Sequence, residues 1–308
     1  MTDYFVGVDA GGTHCRASLY DSAETVIGTG IAGAANVFSD FKKAMQQIDL
    51  AVDSAVRGSK HAIDKKSLIV GAGCAGGQTA QAKKRLTLFN NMPYKQLFMT
   101  SDLHASCIAA NGGGDCVVMI TGTGSSIAHY QENRVTQYGG HGFIHGDEAS
   151  GAWLGLSAVQ LLLKGFDNII DDEEFCSVIA QAIGLDYMST IRNAEQHVSV
   201  SHILHYFRKK LASDYAKLAP IIIALHQHGN ATANALINQS VDYLLSVLRL
   251  NALDDDSLPI FITGGIAQSY QPLLQHEIGR PVLGMRRVAQ DGAMLYAKSQ
   301  MGLLQTKV

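Results

Sequence analysis

Tyr4-Phe5-Val6-Gly7-Val8-Asp9-Ala10-Gly11-Gly12-Thr13-His14 is a short apolar run that ends on a carboxylate and a glycine pair. Directly after it, Cys15, Ala17 and Leu19 alternate with Arg16, Ser18 and Tyr20, the two-residue period of a strand. The pattern predicts strand, tight turn, strand. A third extended piece follows over residues 25–31, then a polar loop at residues 33–36, and apolar residues over 41–56 recur at helical spacing. Farther on come an apolar run at 68–71, a helical pattern over about 79–89, a second run at 96–100 and an alanine-rich helix from near Leu103. The first domain therefore reads β-β-β-α-β-α-β-α, an antiparallel meander joined to crossover helices.

The pattern then restarts. Cys116-Val117-Val118-Met119-Ile120 is apolar, Thr121-Gly122-Thr123-Gly124 is a glycine turn, and residues 126–130 and 135–138 continue as strands. Gly12-Thr13 lines up with Gly124-Ser125 as a weak internal repeat. Mostly helical sequence occupies residues 149–250, with Ile237, Val241, Leu244, Leu245 and Leu248 on one helical stripe. A buried strand at 259–263 runs into Gly264-Gly265, and a last helix begins near Asp291. The expected organisation is a first domain over 1–113, a second over 114–290, and the terminal helix, about 291–308, packed on the first.

With 308 residues, 47% of them hydrophobic and 17% charged, the chain is long enough for two medium domains with cores of their own. A net charge of −3 argues against nucleic-acid or anionic-membrane partners, which call for a clustered basic excess. Small molecules fit better. Five scattered cysteines without a C-x-x-C pair read as free thiols in a reducing cytoplasm. No apolar run is long enough to span a bilayer, and no export signal is expected.

Three glycine turns follow apolar strands: Asp9 to Thr13, Thr121 to Ser125, and Thr263-Gly264-Gly265. Glycine lets backbone N–H groups approach a phosphate with no Cβ in the way, and neighbouring hydroxyls add donors. Each turn taken singly is equally well a plain hairpin turn; three placed alike in two repeated units are hard to ascribe to chance. Neither the P-loop pattern nor a dinucleotide G-x-G-x-x-G after the first strand is present.

The segment from Val8 to His14 resembles the first phosphate motif of sugar kinases in the actin/hexokinase/heat-shock-ATPase superfamily, Thr121 to Gly124 their second, and Thr263 to Gly265 their adenosine motif. Gly33 to Asn36, Ser101-Asp102 and the stretch Gly139 to Glu148 are similar to the N-acetylglucosamine kinase and glucosamine kinase branch. The resemblance covers nearly the whole chain. It implies an α/β fold of two ribonuclease-H-like (actin-like ATPase) domains, each a mixed sheet, flanking a central cleft that holds ATP and a sugar. It further implies a cytoplasmic ATP- and Mg²⁺-dependent kinase acting on the 6-hydroxyl of N-acetylglucosamine, with glucosamine as the alternative sugar. Dimer formation is common among relatives and is left open.

Such a reaction needs a base, a cation and oriented donors around the phosphoryl group. The resemblance makes Asp102 the base, although Ser101 or Asp102 would equally well cap the helix that starts there. Asp9 is implied to hold Mg²⁺, with an Asx turn as its plain alternative. Gly11, Gly12 and Thr13, then Gly122, Thr123 and Gly124, are implied to cradle phosphate, and Gly264 and Gly265 to pack on the purine. Asn36, Asp102, Gly140, His141 and Asp147 are the implied sugar contacts. His141 stands where related kinases often carry tryptophan. A rival of another class is the ATPase activator of acyl-CoA dehydratases, which shares the nucleotide motifs but needs thiolates for an iron–sulfur cluster.

Overall fold

The computed structural model describes residues 4–77, 79–89, 92–251 and 257–303. In chain order, β1 (Tyr4–Ala10), β2 (Cys15–Tyr20), β3 (Val26–Ala32), α1 (Phe41–Gly58), β4 (Leu68–Cys74), α2 (Ala80–Leu88), β5 (Gln96–Ser101) and α3 (Asp102–Asn111) follow the expected β-β-β-α-β-α-β-α order. They form a five-stranded sheet ordered β3-β2-β1-β4-β5. β1–β2 and β2–β3 pair antiparallel, whereas β1–β4 and β4–β5 pair parallel, so the sheet is mixed.

The second set opens with β6 (Cys116–Thr121), β7 (Ser125–Gln131) and β8 (Arg134–Tyr138). Helices α4 (Gly151–Phe166), α5 (Glu173–Ala182), α6 (Tyr187–Arg192), α7 (Gln196–Phe207), α8 (Ala212–Tyr215), α9 (Ala219–Gln227) and α10 (Ala231–Asn251) follow. The chain then runs through β9 (Ile260–Thr263), α11 (Ala267–Ile278), β10 (Val282–Gly284) and α12 (Ala289–Gln300). Its sheet is ordered β10-β9-β6-β7-β8. Read from the third strand of each set, both sheets have the sequence third, second, first, fourth, fifth. The weak glycine repeat is thus the trace of a repeated topology, the helices α4–α10 occupying the place that α1 holds in the first set.

The chain divides into two compact units, one of Met1–Val118, Ala128–Thr136 and Gly284–Val308, the other of Met119–Ile127 and Gln137–Leu283. In the first, alternation along the strands sends Val6, Val8, Ala17 and Leu19 to one face, where Ile48, Val52 and Ala55 of α1 bury them. The other face is made of glycine. Gly7 and Gly71 are register partners, and a Cβ on either would lie 1.9 Å from a carbonyl of α12, that of Gln290 or Ala293. This backbone-to-helix approach explains why Ser18 and Tyr20, on the polar half of the β2 alternation, are buried, the Tyr20 hydroxyl donating to Asp291. Gly292 in turn lets α12 meet α3 at Ala105.

In the second unit the α10 stripe of Ile237, Val241, Leu244, Leu245 and Leu248 is buried. β10 and α11 are poorly marked in sequence, the strand by its three residues and the helix by Pro272 in its interior. The last helix ends at Gln300, and residues 304–308 of its expected extent lie outside the described residues.

Candidate active site

The parallel pairing of β1, β4 and β5 decides where the first group of candidates lies. Ala10 is opposite Cys74 and Cys74 opposite Ser101, so the three strands end level with one another. Asp9 with the Gly11–His14 turn leaves β1 at this edge, and Asp102 leaves β5 there. Carboxyl ends of parallel strands are the usual place for a ligand crevice in open α/β sheets.

The turn between β1 and β2 is closed by the Gly11 N–H donating to the His14 carbonyl at 2.9 Å. Gly12, Thr13 and His14 are exposed, and a Cβ on Gly12 would meet nothing within 4 Å. Space for a ligand therefore lies over the Gly12 amide and the Thr13 hydroxyl. The carbonyl of Gly11 accepts from Ala35 N–H at 2.9 Å, which ties the Gly33–Asn36 loop to the turn. Asn36 Oδ1 accepts from the N–H groups of Phe38 and Ser39 at 2.9 and 3.1 Å, so its amide NH₂ is the part left to meet a ligand.

Ser101 caps α3, its Oγ accepting from His104 N–H at 3.1 Å. That settles which of the two neighbours serves the helix and leaves the Asp102 carboxylate held by local backbone donors alone, Leu103 N–H at 2.9 Å and its own N–H. Gly73 of β4 permits the approach, because a Cβ there would lie 2.7 Å from Ala105. Burial pushes the Asp102 carboxyl up to about 6, the Asp9 charge adds to the rise, and the Leu103 bond opposes it. Burial likewise raises Asp9, while Arg16, 3.7 Å away, lowers it. Arg16, the register partner of Asp9 on β2, escapes motif reading and is visible only through pairing.

The second group of candidates belongs to the other unit. The turn after β6 is closed by Gly122 N–H donating to Gly124 O at 2.9 Å, the counterpart of the Gly11–His14 bond. Ala152 N–H and Gly151 N–H of the α4 terminus donate to Thr123 O and Gly122 O, which holds the turn in place with the Thr123 side chain exposed. Gly264 has φ +111°, and a Cβ on it would fall 2.2 Å from Thr121 O. Ile266 N–H also donates to Thr121 O at 3.2 Å, so the third glycine turn is pinned beside the second, with open space over Gly265.

Asp147 has φ +55° and accepts from Gly142 N–H at 3.1 Å; its other oxygen is 2.8 Å from where a Gly124 Cβ would be. Burial raises its carboxyl. Gly140, at φ +68°, packs against Ser126 and Gln137, and His141 is exposed in the same loop. His141 and His145 lie in a loop, and among the described residues no group of three potential metal ligands is present. Each unit thus gathers its own candidates: Asp9, the first turn, Asn36 and Asp102 in one; the second and third turns with Gly140, His141 and Asp147 in the other.

Residues 6–297 match the BadF/BadG/BcrA/BcrD ATPase family. Glucosamine kinase GspK of Vibrio cholerae is 25% identical over 96% of both chains. An N-acetylmuramic acid/N-acetylglucosamine kinase of Clostridium acetobutylicum is 20% identical over 96% of this chain and 99% of that one. A crystal structure of a candidate N-acetylglucosamine kinase from Chromobacterium violaceum superposes with a TM-score of 0.80 at 24% identity, covering 96% of this chain and 99% of the other.

Proposed function

The chain belongs to the BadF/BadG/BcrA/BcrD ATPase family, and on that premise we propose that it is an ATP-dependent amino-sugar kinase whose base is Asp102. The carrying observation is the Asp102 carboxyl: partly buried, raised to about 6, relieved of capping by Ser101, and at the same strand edge as the Gly11–His14 turn. A carboxyl with a pKa near 6 is mostly ionised at neutral pH yet more basic than an ordinary carboxylate, which suits a group that takes a proton from a sugar hydroxyl. Thr13 and the amide of Gly12, with Thr123 and the turn around it, are assigned to the phosphates. Gly264 and Gly265 are assigned to the adenosine. Asn36, Gly140, His141 and Asp147 are assigned to the sugar.

Mg²⁺ keeps much of its hydration and needs only one or two carboxylates beside the substrate phosphates. Asp9 fits that role: it is partly buried, raised by that burial, and its pair with Arg16 is long. When bound, the ion would neutralise charge on the phosphoryl oxygens. The sugar is assigned as N-acetylglucosamine, phosphorylated at its 6-hydroxyl. Glucosamine is the second reading, supported by the naming of the Vibrio cholerae relative. The dehydratase-activator reading is disfavoured by the thiols themselves, since all five cysteines are buried and burial raises each of them away from the thiolate form a cluster needs.

The test is Asp102→Asn, which keeps the shape and removes the base. Turnover should fall by about 10²–10⁴-fold while ATP and sugar still bind, the range a general base contributes. Turnover within a few fold of the parent would remove Asp102 from the chemistry.

A further inference from the structure

A cavity of about 540 Å³ lies within the first unit on the flank of the edge strand β5. Its walls come from the C-terminal part of α2, the end of β5, the first turn of α3, the tip of the β7–β8 hairpin, and α12. We propose that this cavity is a regulatory site for a sugar phosphate, with the Arg134 guanidinium on the phosphate and the hydroxyls of Thr100, Thr136 and Tyr296 on the sugar.

The chemistry of the walls argues for that class. No carboxylate lines the cavity among the described residues, and Arg134 has neither an ion pair nor a hydrogen bond there. A cation left unpaired beside a polar hollow selects an anion, and a guanidinium is matched to phosphate geometry. Around it, polar groups outnumber the apolar wall. Thr100 Oγ1 lies 2.9 Å from His104 Nδ1 and also bonds Tyr296, and the His104 ring packs against Tyr130 and Tyr296 at 5.5 and 5.3 Å. Fixed hydroxyls of this kind read a polyol rather than an acyl chain. The volume is that of a small-molecule site.

The cavity reaches the chemistry through one residue. Ser101 lines it and also caps α3 through His104 N–H, and Asp102 is the next residue. A ligand that bonds Thr100 or Ser101 competes with the cap and shifts Asp102, so occupancy lowers kcat without displacing the sugar. This effect on turnover rests on Asp102 being the base; binding does not.

The test is calorimetry on the full chain saturated with a non-hydrolysable ATP analogue and N-acetylglucosamine. The titrants are N-acetylglucosamine 6-phosphate, glucose 6-phosphate, inorganic phosphate and glucose. One sugar phosphate should bind per chain, at least tenfold more tightly than inorganic phosphate, with glucose silent. Arg134→Gln should weaken that binding at least tenfold while leaving unregulated turnover and thermal midpoint unchanged. In steady-state kinetics, added sugar phosphate should lower kcat with the sugar KM unchanged, and Arg134→Gln should abolish that effect. Absence of binding, equal affinity for inorganic phosphate, or binding indifferent to Arg134→Gln overturns the proposal. A chain that binds the sugar phosphate through Arg134 yet phosphorylates no amino sugar would contradict the proposed function and uphold the cavity. One that phosphorylates but fails these binding tests would do the reverse.

Discussion

Ser101 and Asp102 sit side by side and divide two tasks that sequence cannot apportion, because both residue types cap helices well. The hydrogen bond from His104 N–H to Ser101 Oγ assigns the cap to serine and leaves the aspartate out of it, as the proposed role of base requires. Its carboxyl, lifted from an ordinary value near 3.8 to about 6, sets a pH dependence. As the proposed base, Asp102 would work as the carboxylate, so activity should be present above that value and lost as pH falls through it. A plot of kcat/KM against pH should therefore bend near pH 6 with unit slope on the acid side, as expected for one ionisation of the free enzyme. A flat profile between pH 5 and 8 would be at odds with this base. Asp9 and Thr13 were legible as a motif, whereas Arg16, which partners Asp9 across the ladder, required the register.

Helices and strands in this chain are placed by close approaches as much as by apolar pattern. The cap of α3 is one such dependence. Ser101→Ala should cost about 1 kcal/mol in chemical denaturation, the usual worth of an N-cap, and should lower kcat more than it raises the sugar KM. The junction of β6 with the Gly264 turn is another. Gly264→Ala would drive a Cβ into the Thr121 backbone from a positive φ and should destabilise by roughly 2–4 kcal/mol, whereas Gly265→Ala, facing open space, should stay within about 0.5 kcal/mol. Equal losses at the two positions would show that the crowding at Thr121 is not what fixes the turn. Alternation, short apolar runs and helical period suffice to place β1–β9, α1 and α10, although β4 is buried at every position and β8 at none. They fail at Ser18 and Tyr20, where glycines on the neighbouring strands bring α12 against the other face. They fail again at β10 and α11, too short or too interrupted to carry a period.

At the scale of the molecule, one strand order is used twice, and two glycine turns with matching internal hydrogen bonds follow the first strand of each sheet. That duplication is faint in sequence, where little more than a glycine turn survives, because topology is held by packing that many residue choices satisfy. The loop proposed to hold the sugar is the least legible part. Its geometry depends on Gly139, Gly140, Gly142, Asp147 and Ala149 in left-handed conformations, and no short pattern encodes which sugar that shape admits. The most direct test of the kinase account is a coupled ATP-consumption assay with Mg²⁺ on the purified chain, against glucose, glucosamine, N-acetylglucosamine, N-acetylmannosamine and N-acetylmuramic acid. The account predicts that an amino sugar, N-acetylglucosamine foremost, raises ATP turnover far above the basal rate. Turnover that none of the five sugars raises above that rate would contradict it.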